Sequence, residues 1–301
     1  MGRGCRSPRA DRFGPSTLIE AGEQTVLIDA GRGATIRLFQ LGIPIGRINA
    51  LLLTHFHSDH TVGIPDLWLT GWLSSHFAAR KGPFHVIGPV GTSTMMRHLE
   101  AAYAPDIEIR VEDEKLAREN VAITVEEFAS DGPVYETGDL RIIAFTVDHG
   151  DAIKPAYGYR IEYRGRVAVV SGDTRYNENV VRYGENADLL IHEVAMAHPE
   201  LLAKPHIQRI LNHHTSPQEA GRVFARTTPK LAVFTHLVML ASETTSPPCV
   251  EELITATRET YAGPLEVGED LMSFHIRDEI AVRRWTVSRQ ADVRKTIRAS
   301  P

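Results

Sequence analysis

The sequence predicts an α+β fold of layered αβ/βα type, and three observations carry that prediction. Short apolar runs recur that each stop at a His, Asp or Glu. Helical patterns lie between them, so that strands are followed by helices twice over. The 301 residues, 43% hydrophobic and 24% charged, supply enough chain for one sizeable core. The expected organisation is a single domain over residues 1–276 followed by a basic C-terminal extension over 277–301.

In chain order, the first helix is an amphipathic stretch at Ala34–Leu41, placed after the turn Gly31-Arg32-Gly33. Residues 48–54 form the first apolar run, which stops at His55, and residues 65–79 read as a helix directly beyond it. The run 142–148 stops at His149. Residues 157–163 and 166–171 flank Arg164-Gly165, a two-residue hairpin turn, and the second of these strands delivers Asp173. Residues 189–192 stop at Glu193. Ser216-Pro217-Gln218-Glu219 opens a helix running to about Arg226, with Ser as N-cap, Pro in the first turn and an acid at the positive end. The run 231–235 then stops at His236, and Ser246-Pro247-Pro248 opens a last helix that ends before Gly263. Runs of this kind are strands covered on both faces, and residues just past their ends collect on one rim of the sheet.

Composition narrows the chemistry before any motif does. Cys5 and Cys249 cannot build a disulfide framework and have no metal-ligand spacing, so any metal must be held by His and carboxylates. No apolar window is long enough for a membrane span and no secretory signal core opens the chain, which makes the expected location cytoplasmic. The net charge of −5 is unevenly spread: residues 1–12 carry four Arg and one Asp, and residues 277–301 carry seven Lys/Arg and three acids. The middle is therefore acidic, which argues against extended phosphate tracking by the body of the domain. Fourteen histidines are the remaining feature.

Five of those histidines have a pattern. His55-Phe56-His57-Ser58-Asp59-His60 packs three imidazoles and a carboxylate into a turn after a strand, and each side chain suits Zn²⁺. With His149, Asp173 and His236 there are seven candidate ligands, enough for two metals sharing one carboxylate. His76, His85, His98, His198, His206 and His275 have no partner motif and are expected on the surface or in ordinary core positions. Trp68, Trp72 and Phe77 have helical spacing that means core or pocket wall, and Tyr157 and Tyr159 are candidates for the pocket floor.

These motifs resemble those of the metallo-β-lactamase superfamily over nearly the whole chain. Leu27-Ile28-Asp29-Ala30-Gly31 is similar to its first motif, residues 54–60 to its second, His149 to its third, Ser171-Gly172-Asp173 to its fourth and Thr235-His236 to its fifth. The resemblance implies a four-layer αβ/βα sandwich, two facing mixed β-sheets flanked by helices, with the site on one rim. It implies that His55, His57 and His149 bind one zinc, that Asp59, His60 and His236 bind the other, that Asp173 bridges them, and that Asp29 supports the metal loop without being a ligand. Mn²⁺ or Fe²⁺ are the expected substitutes for Zn²⁺.

The branch follows from two further features. Asp173 stands where true β-lactamases of the superfamily lack a bridging carboxylate, which leaves lactam hydrolysis as a side activity at most. Ile191-His192-Glu193-Val194-Ala195 and His213-His214-Thr215-Ser216 resemble paired motifs of ribonuclease Z and its arylsulfatase-like relatives. That likeness implies that Glu193 orients His214, that His214 protonates the leaving group, and that Asp59 accepts a proton from the zinc-bound water while a metal-bound hydroxide attacks a phosphodiester. Two departures count against tRNA maturation. Short ribonucleases Z carry a long arm between the third and fourth motifs, whereas His149 and Asp173 are here only 24 residues apart; and Leu237-Val238-Met239-Leu240 replaces the Ser-x-Arg-Tyr segment after the last His. The alternatives are a sulfate ester or a lactone or other carboxylic ester at the same site. A non-catalytic metal-binding protein is disfavoured, since such a chain tolerates ligand loss and all seven ligands are present. The expected partners are a small anionic ester or RNA as substrate and a second copy in a homodimer. Gly2-Arg3-Gly4 resembles the turn after the family's first strand, so that strand is expected to be missing or shortened.

Overall fold

A computed structural model of the chain describes residues 12–286. The first sheet holds β1 (Thr17–Ala21), β2 (Gln24–Ile28), β3 (Ala50–Leu52), β4 (Phe84–Pro89) and β5 (Ile123–Phe128) in that spatial order. Its first pair is antiparallel and the rest are parallel. The second sheet holds β6 (Gly132–Thr137), β7 (Leu140–Thr146), β8 (Tyr157–Tyr163), β9 (Arg166–Val170), β10 (Leu189–Met196), β11 (Leu231–Met239) and β12 (Leu265–Val267), again in chain order. β6 to β9 form an antiparallel meander, and β9 to β12 are parallel. The β8–β9 hairpin turns at Arg164 (φ 48°) and Gly165 (φ 74°), the left-handed pair that a two-residue turn matched to strand twist requires.

Side-chain alternation along these strands makes the layers. Leu140, Ile142 and Ala144 on β7, Leu189 and Ile191 on β10, and Val26 and Ile28 on β2 meet in a core between the two sheets. The intervening residues Phe145, Leu190 and Phe234 face outward into a second core under α5 (Glu178–Gly184), α7 (Pro217–Thr227) and α8 (Val250–Arg258). On the far side, Leu27, Leu51, Leu53 and Val86 pack under α1 (Ala34–Leu41), α3 (Ile64–Trp72) and α4 (Thr92–Glu112). The result is helix, sheet, sheet, helix. Both sheets are covered on both faces, which is why their strands read as unbroken apolar runs.

Several expectations need correcting. The helix read over 65–79 stops at Trp72: Leu73 turns extended (ψ 149°), and the Arg80 guanidinium lies against Gly71, buried and donating to Asn120 O, where a continued helix would leave it no room. Burial without a carboxylate partner pushes Arg80 down to about 10. α4, 21 residues long, has no sequence signal, because it buries only Thr92, Met96 and Ile107 and contains Pro105. β10 and β11 run past Glu193 and His236 instead of ending at them. Near the expected boundary at residue 276, β13 (Ser273–Ile276) pairs with β14 (Ile280–Arg283), and Ile280 and Val282 pack against the intersheet core. The turn at Gly2-Arg3-Gly4, with the missing or shortened strand expected before it, and residues 287–301 of the basic extension lie outside the described residues. Trp68 and Trp72 are core, their indole N–H groups donating to Val121 O and Ala117 O. Among the described residues no helix is long and apolar enough to cross a membrane.

Candidate metal centre and active site

The chain delivers polar side chains to one rim through the ends of β3, β7 and β9 and from within β10 and β11. After β3, Thr54 and His55 lead into a one-turn helix, α2 (Ser58–Thr61), which presents His57 as its N-cap and Asp59 and His60 within it. After β9 the chain passes Gly172 at φ +63°, where a Cβ would stand 2.3 Å from Tyr157 O. Only glycine fits that approach, and it brings Asp173 into the site. His236 arrives by a different device. Glu193 pairs with Thr235 and Val194 with Leu237, so His236 is the extra residue of a bulge, at φ 44°, and its side chain is re-aimed at the rim.

Two donor groups result. His55 Nε2 and His149 Nε2 lie 3.0 and 3.2 Å from His57 Nδ1. His236 Nε2 lies 3.4 Å and His60 Nε2 4.0 Å from Asp59 Oδ2. Asp173 Oδ2 serves both, at 3.6 Å from His149 Nε2, 3.4 Å from His60 Nε2 and 3.2 Å from His236 Nε2. Donors about 2.0–2.1 Å from a tetrahedral cation stand roughly 3.3–3.4 Å apart, so this spacing is that of ligands around two metal ions. His60 Nε2 is buried and has no hydrogen-bond donor or acceptor of its own, as expected of a nitrogen meant for a cation. The seven residues expected as ligands are thus brought together, and a third grouping of Asp173, His214 and His236 adds His214 to the candidates.

Hydrogen bonds behind the donors fix their tautomers. The His60 Nδ1–H donates to Asp29 Oδ2 (2.7 Å), and the Thr54 hydroxyl donates to the same oxygen (2.8 Å) while accepting from His55 Nδ1–H (3.0 Å). The Thr54 amide donates to Asp29 Oδ1 (2.9 Å). His149 Nδ1–H donates to His213 O (2.7 Å). Each of these rings therefore turns a bare Nε2 toward the centre, the arrangement that orients metal-ligating histidines. Asp29 is a support, as expected. Electrostatics agree: burial opposes the charge of Asp173, but His236 and His60 hold it well below the usual carboxylate range. Burial likewise works against charge on His60, and Asp173 and Asp29 overcome it and hold the ring well above its ordinary value. Burial pushes His149 down to about 4.

Glu193 and His214 stand beside this centre. His214 Nδ1–H donates to Glu193 Oε2 (3.1 Å), and Glu193 Oε1 accepts from the Thr215 and Thr174 amides (3.0 and 3.3 Å). Burial and the neighbouring Asp173 charge push the Glu193 carboxyl up, against those donors. Thr174 is a residue that sequence reasoning misses. Its hydroxyl accepts from Asp148 N (3.2 Å), its carbonyl accepts from Thr215 Oγ (2.6 Å) and its amide meets Glu193, so one fully buried residue ties together the loops bearing His149, Asp173, Glu193 and His214. Arg175 adds an outer clasp, donating to both Asp148 oxygens (2.9 and 2.8 Å). Its only sequence signal is a place two residues after Asp173. Tyr159 supports the floor by donating to Leu53 O (2.5 Å). Of the remaining histidines, His85 and His198 pair with Glu126 and Glu252 away from the site.

His192 faces away from the centre, into the helix layer against Phe224. Its Nδ1–H donates to Glu193 O (2.6 Å), its Nε2 is buried without a partner, and burial pushes it down to about 4. An unfolded histidine titrates near 6.5, so the folded state loses stability as pH falls from about 6.5 towards 4 and keeps it above. Between pH 7 and pH 5, urea unfolding of the metal-free protein is expected to show a loss about 2 kcal/mol larger than in His192→Leu. Equal losses would show that His192 carries none of the pH dependence.

Residues 24–237 match the family described as Beta-lactamase superfamily domain. The chain belongs to the metallo-β-lactamase superfamily. It is 31% identical over 284 residues to ribonuclease Z of Mycolicibacterium gilvum (94% of this chain, 97% of the relative), and 33% identical over 273 residues to ribonuclease Z of Mycobacterium bovis (90% and 95%). Among solved structures, the metallo-β-lactamase fold protein YhfI of Bacillus subtilis superposes at TM-score 0.66 with 21% identity, covering 89% of this chain and 95% of that one. The short form of human tRNase Z gives 0.65 and 21%, covering 90% and 95%. Those two likenesses speak to the fold, the αβ/βα sandwich expected from sequence. This metallo-β-lactamase superfamily member is a hydrolase with a His/Asp centre for divalent metal.

Proposed function

We propose that the chain is a dinuclear zinc phosphodiesterase of ribonuclease Z type, acting on RNA. The observation that carries this reading is the buried Glu193–His214 pair set beside a carboxylate, Asp173, within reach of both donor groups. His55, His57 and His149 would hold one ion, Asp59, His60 and His236 the other, and Asp173 both. When bound, such ions supply Lewis acidity and a water acidic enough to ionise near neutral pH. Asp59 is mostly buried and the His236 hydrogen bond keeps it ionised against the pull of burial, so an unprotonated carboxylate stands at the centre, and it would take the proton of that water. A ribose oxygen is a poor leaving group and needs a proton as the ester bond breaks. Glu193 holds the Nδ1–H of His214, so the proton to be given up is the one on Nε2. The 31–33% identical relatives called ribonuclease Z support RNA as the substrate.

The test is a panel. Zinc-loaded protein, with metal content measured as two ions per chain, is assayed on a precursor tRNA, an aryl phosphodiester, an aryl sulfate, a lactone and a β-lactam. The expected result is the highest kcat/KM on the two phosphodiesters. A higher value on the sulfate, the lactone or the lactam, or less than one metal per chain, overturns the reading.

A further inference from the structure

Between Glu193 and His214 the chain leaves the rim and returns to it, and the proposed mechanism uses only the two ends. The base of this excursion, residues 196–214, is closed by the Ala195 amide donating to Thr215 O (2.9 Å). It contains α6 (Pro205–Leu211) and a short 3-10 turn at Pro199–Leu201. Leu201 and Ile207 are buried, at 1% and 2% exposure, so the excursion is a packed lobe. Its foot stands in the site. His213 O accepts from His149 Nδ1–H, and the His213 ring lies against Gly150, where a Cβ would come within 2.8 Å of it.

The lobe is cationic in a chain whose middle is acidic. Lys204, the N-cap of α6, and Arg209, exposed on it, face a single acid in the lobe, Glu200. Neither cation forms an ion pair with a carboxylate among the described residues, whereas Arg175 and Arg226, elsewhere in the second sheet's half of the molecule, are paired with Asp148 and Glu178. Cations left without counter-charge on a lobe whose foot stands in a phosphodiester site are suited to the neighbouring phosphates of a polymer, and the β8–β9 hairpin leaves no arm to supply them.

We infer that the lobe 196–214 is the RNA-gripping element of this enzyme, with Lys204 and Arg209 binding phosphates that flank the cleaved one. The inference rests on RNA being the substrate. Full-length zinc-loaded wild type and the double variant Lys204→Ala/Arg209→Ala are compared on a precursor tRNA over a salt series and on an aryl phosphodiester too small to span the lobe. KM for the precursor is expected to rise on the order of tenfold with kcat little changed, and by about that factor more than any change on the aryl ester. The slope of log(kcat/KM) against log salt should become shallower by about 1.5, two contacts' worth, and the charge-preserving variant Lys204→Arg/Arg209→Lys should restore it. An unchanged KM and slope on RNA, or an equal loss on the aryl ester, overturns the inference and leaves the proposed function standing. Wild type that cleaves the aryl ester but no RNA overturns both.

Discussion

Asp173→Ala is expected to lose metal from both donor groups and more than about 100-fold in kcat/KM. Residues that merely support ligands are worth about 10–100-fold in affinity or activity, and Asp173 stands closer to the centre than any of those. Its Oδ2 is within 3.2–3.6 Å of nitrogens from His149, His60 and His236, which belong to different groups. Without it, five buried or half-buried imidazoles converge with Asp59 as the sole remaining carboxylate donor, and cation binding is opposed wherever those rings hold protons. Elemental analysis of protein purified without chelator is the direct measurement. Two ions retained per chain, with activity lost, would mean that Asp173 acts in the reaction and not as a shared ligand. Asp173→Asn, which keeps the shape and removes the charge, is expected to fall between wild type and Ala.

His214→Ala is expected to divide substrates by leaving group. On precursor RNA, whose leaving oxygen is an alkoxide, loss of a positioned general acid costs about 10²–10⁴ in rate. On an aryl phosphodiester, whose phenolate departs without help, the loss should stay below about tenfold. Glu193→Gln is expected to follow the same division more weakly, since an amide can still meet His214 Nδ1 but cannot support a positive ring. An equal loss on both substrates would assign the pair to holding the pocket together. Single-turnover measurement keeps product release out of the comparison.

The parts of this molecule that are legible in its sequence are those where one residue type has one use. Three imidazoles and an Asp within six positions after a strand serve little purpose except to hold metal, and all of them reach the centre. The Ser216 capping box and the Arg164-Gly165 turn are readable for the same reason, each demanding a particular backbone. What escapes is carried by contacts that have no local signature. Thr174 is a hub because four loops meet around it, and a threonine after an aspartate says nothing of that. α4 is invisible because a helix lying on the outside with three buried residues has no clear apolar face. The ends of β10 and β11 lie beyond their expected places because a bulge lets pairing resume after Glu193 and His236, where polar residues in the run suggest that it has ended.

That bulge sets stability and activity against each other at a single position. At φ 44°, His236 occupies backbone space in which a side chain other than Gly, Asn or Asp costs on the order of 1 kcal/mol. Selection for a robust fold alone would place glycine or asparagine there, and selection for turnover retains the imidazole.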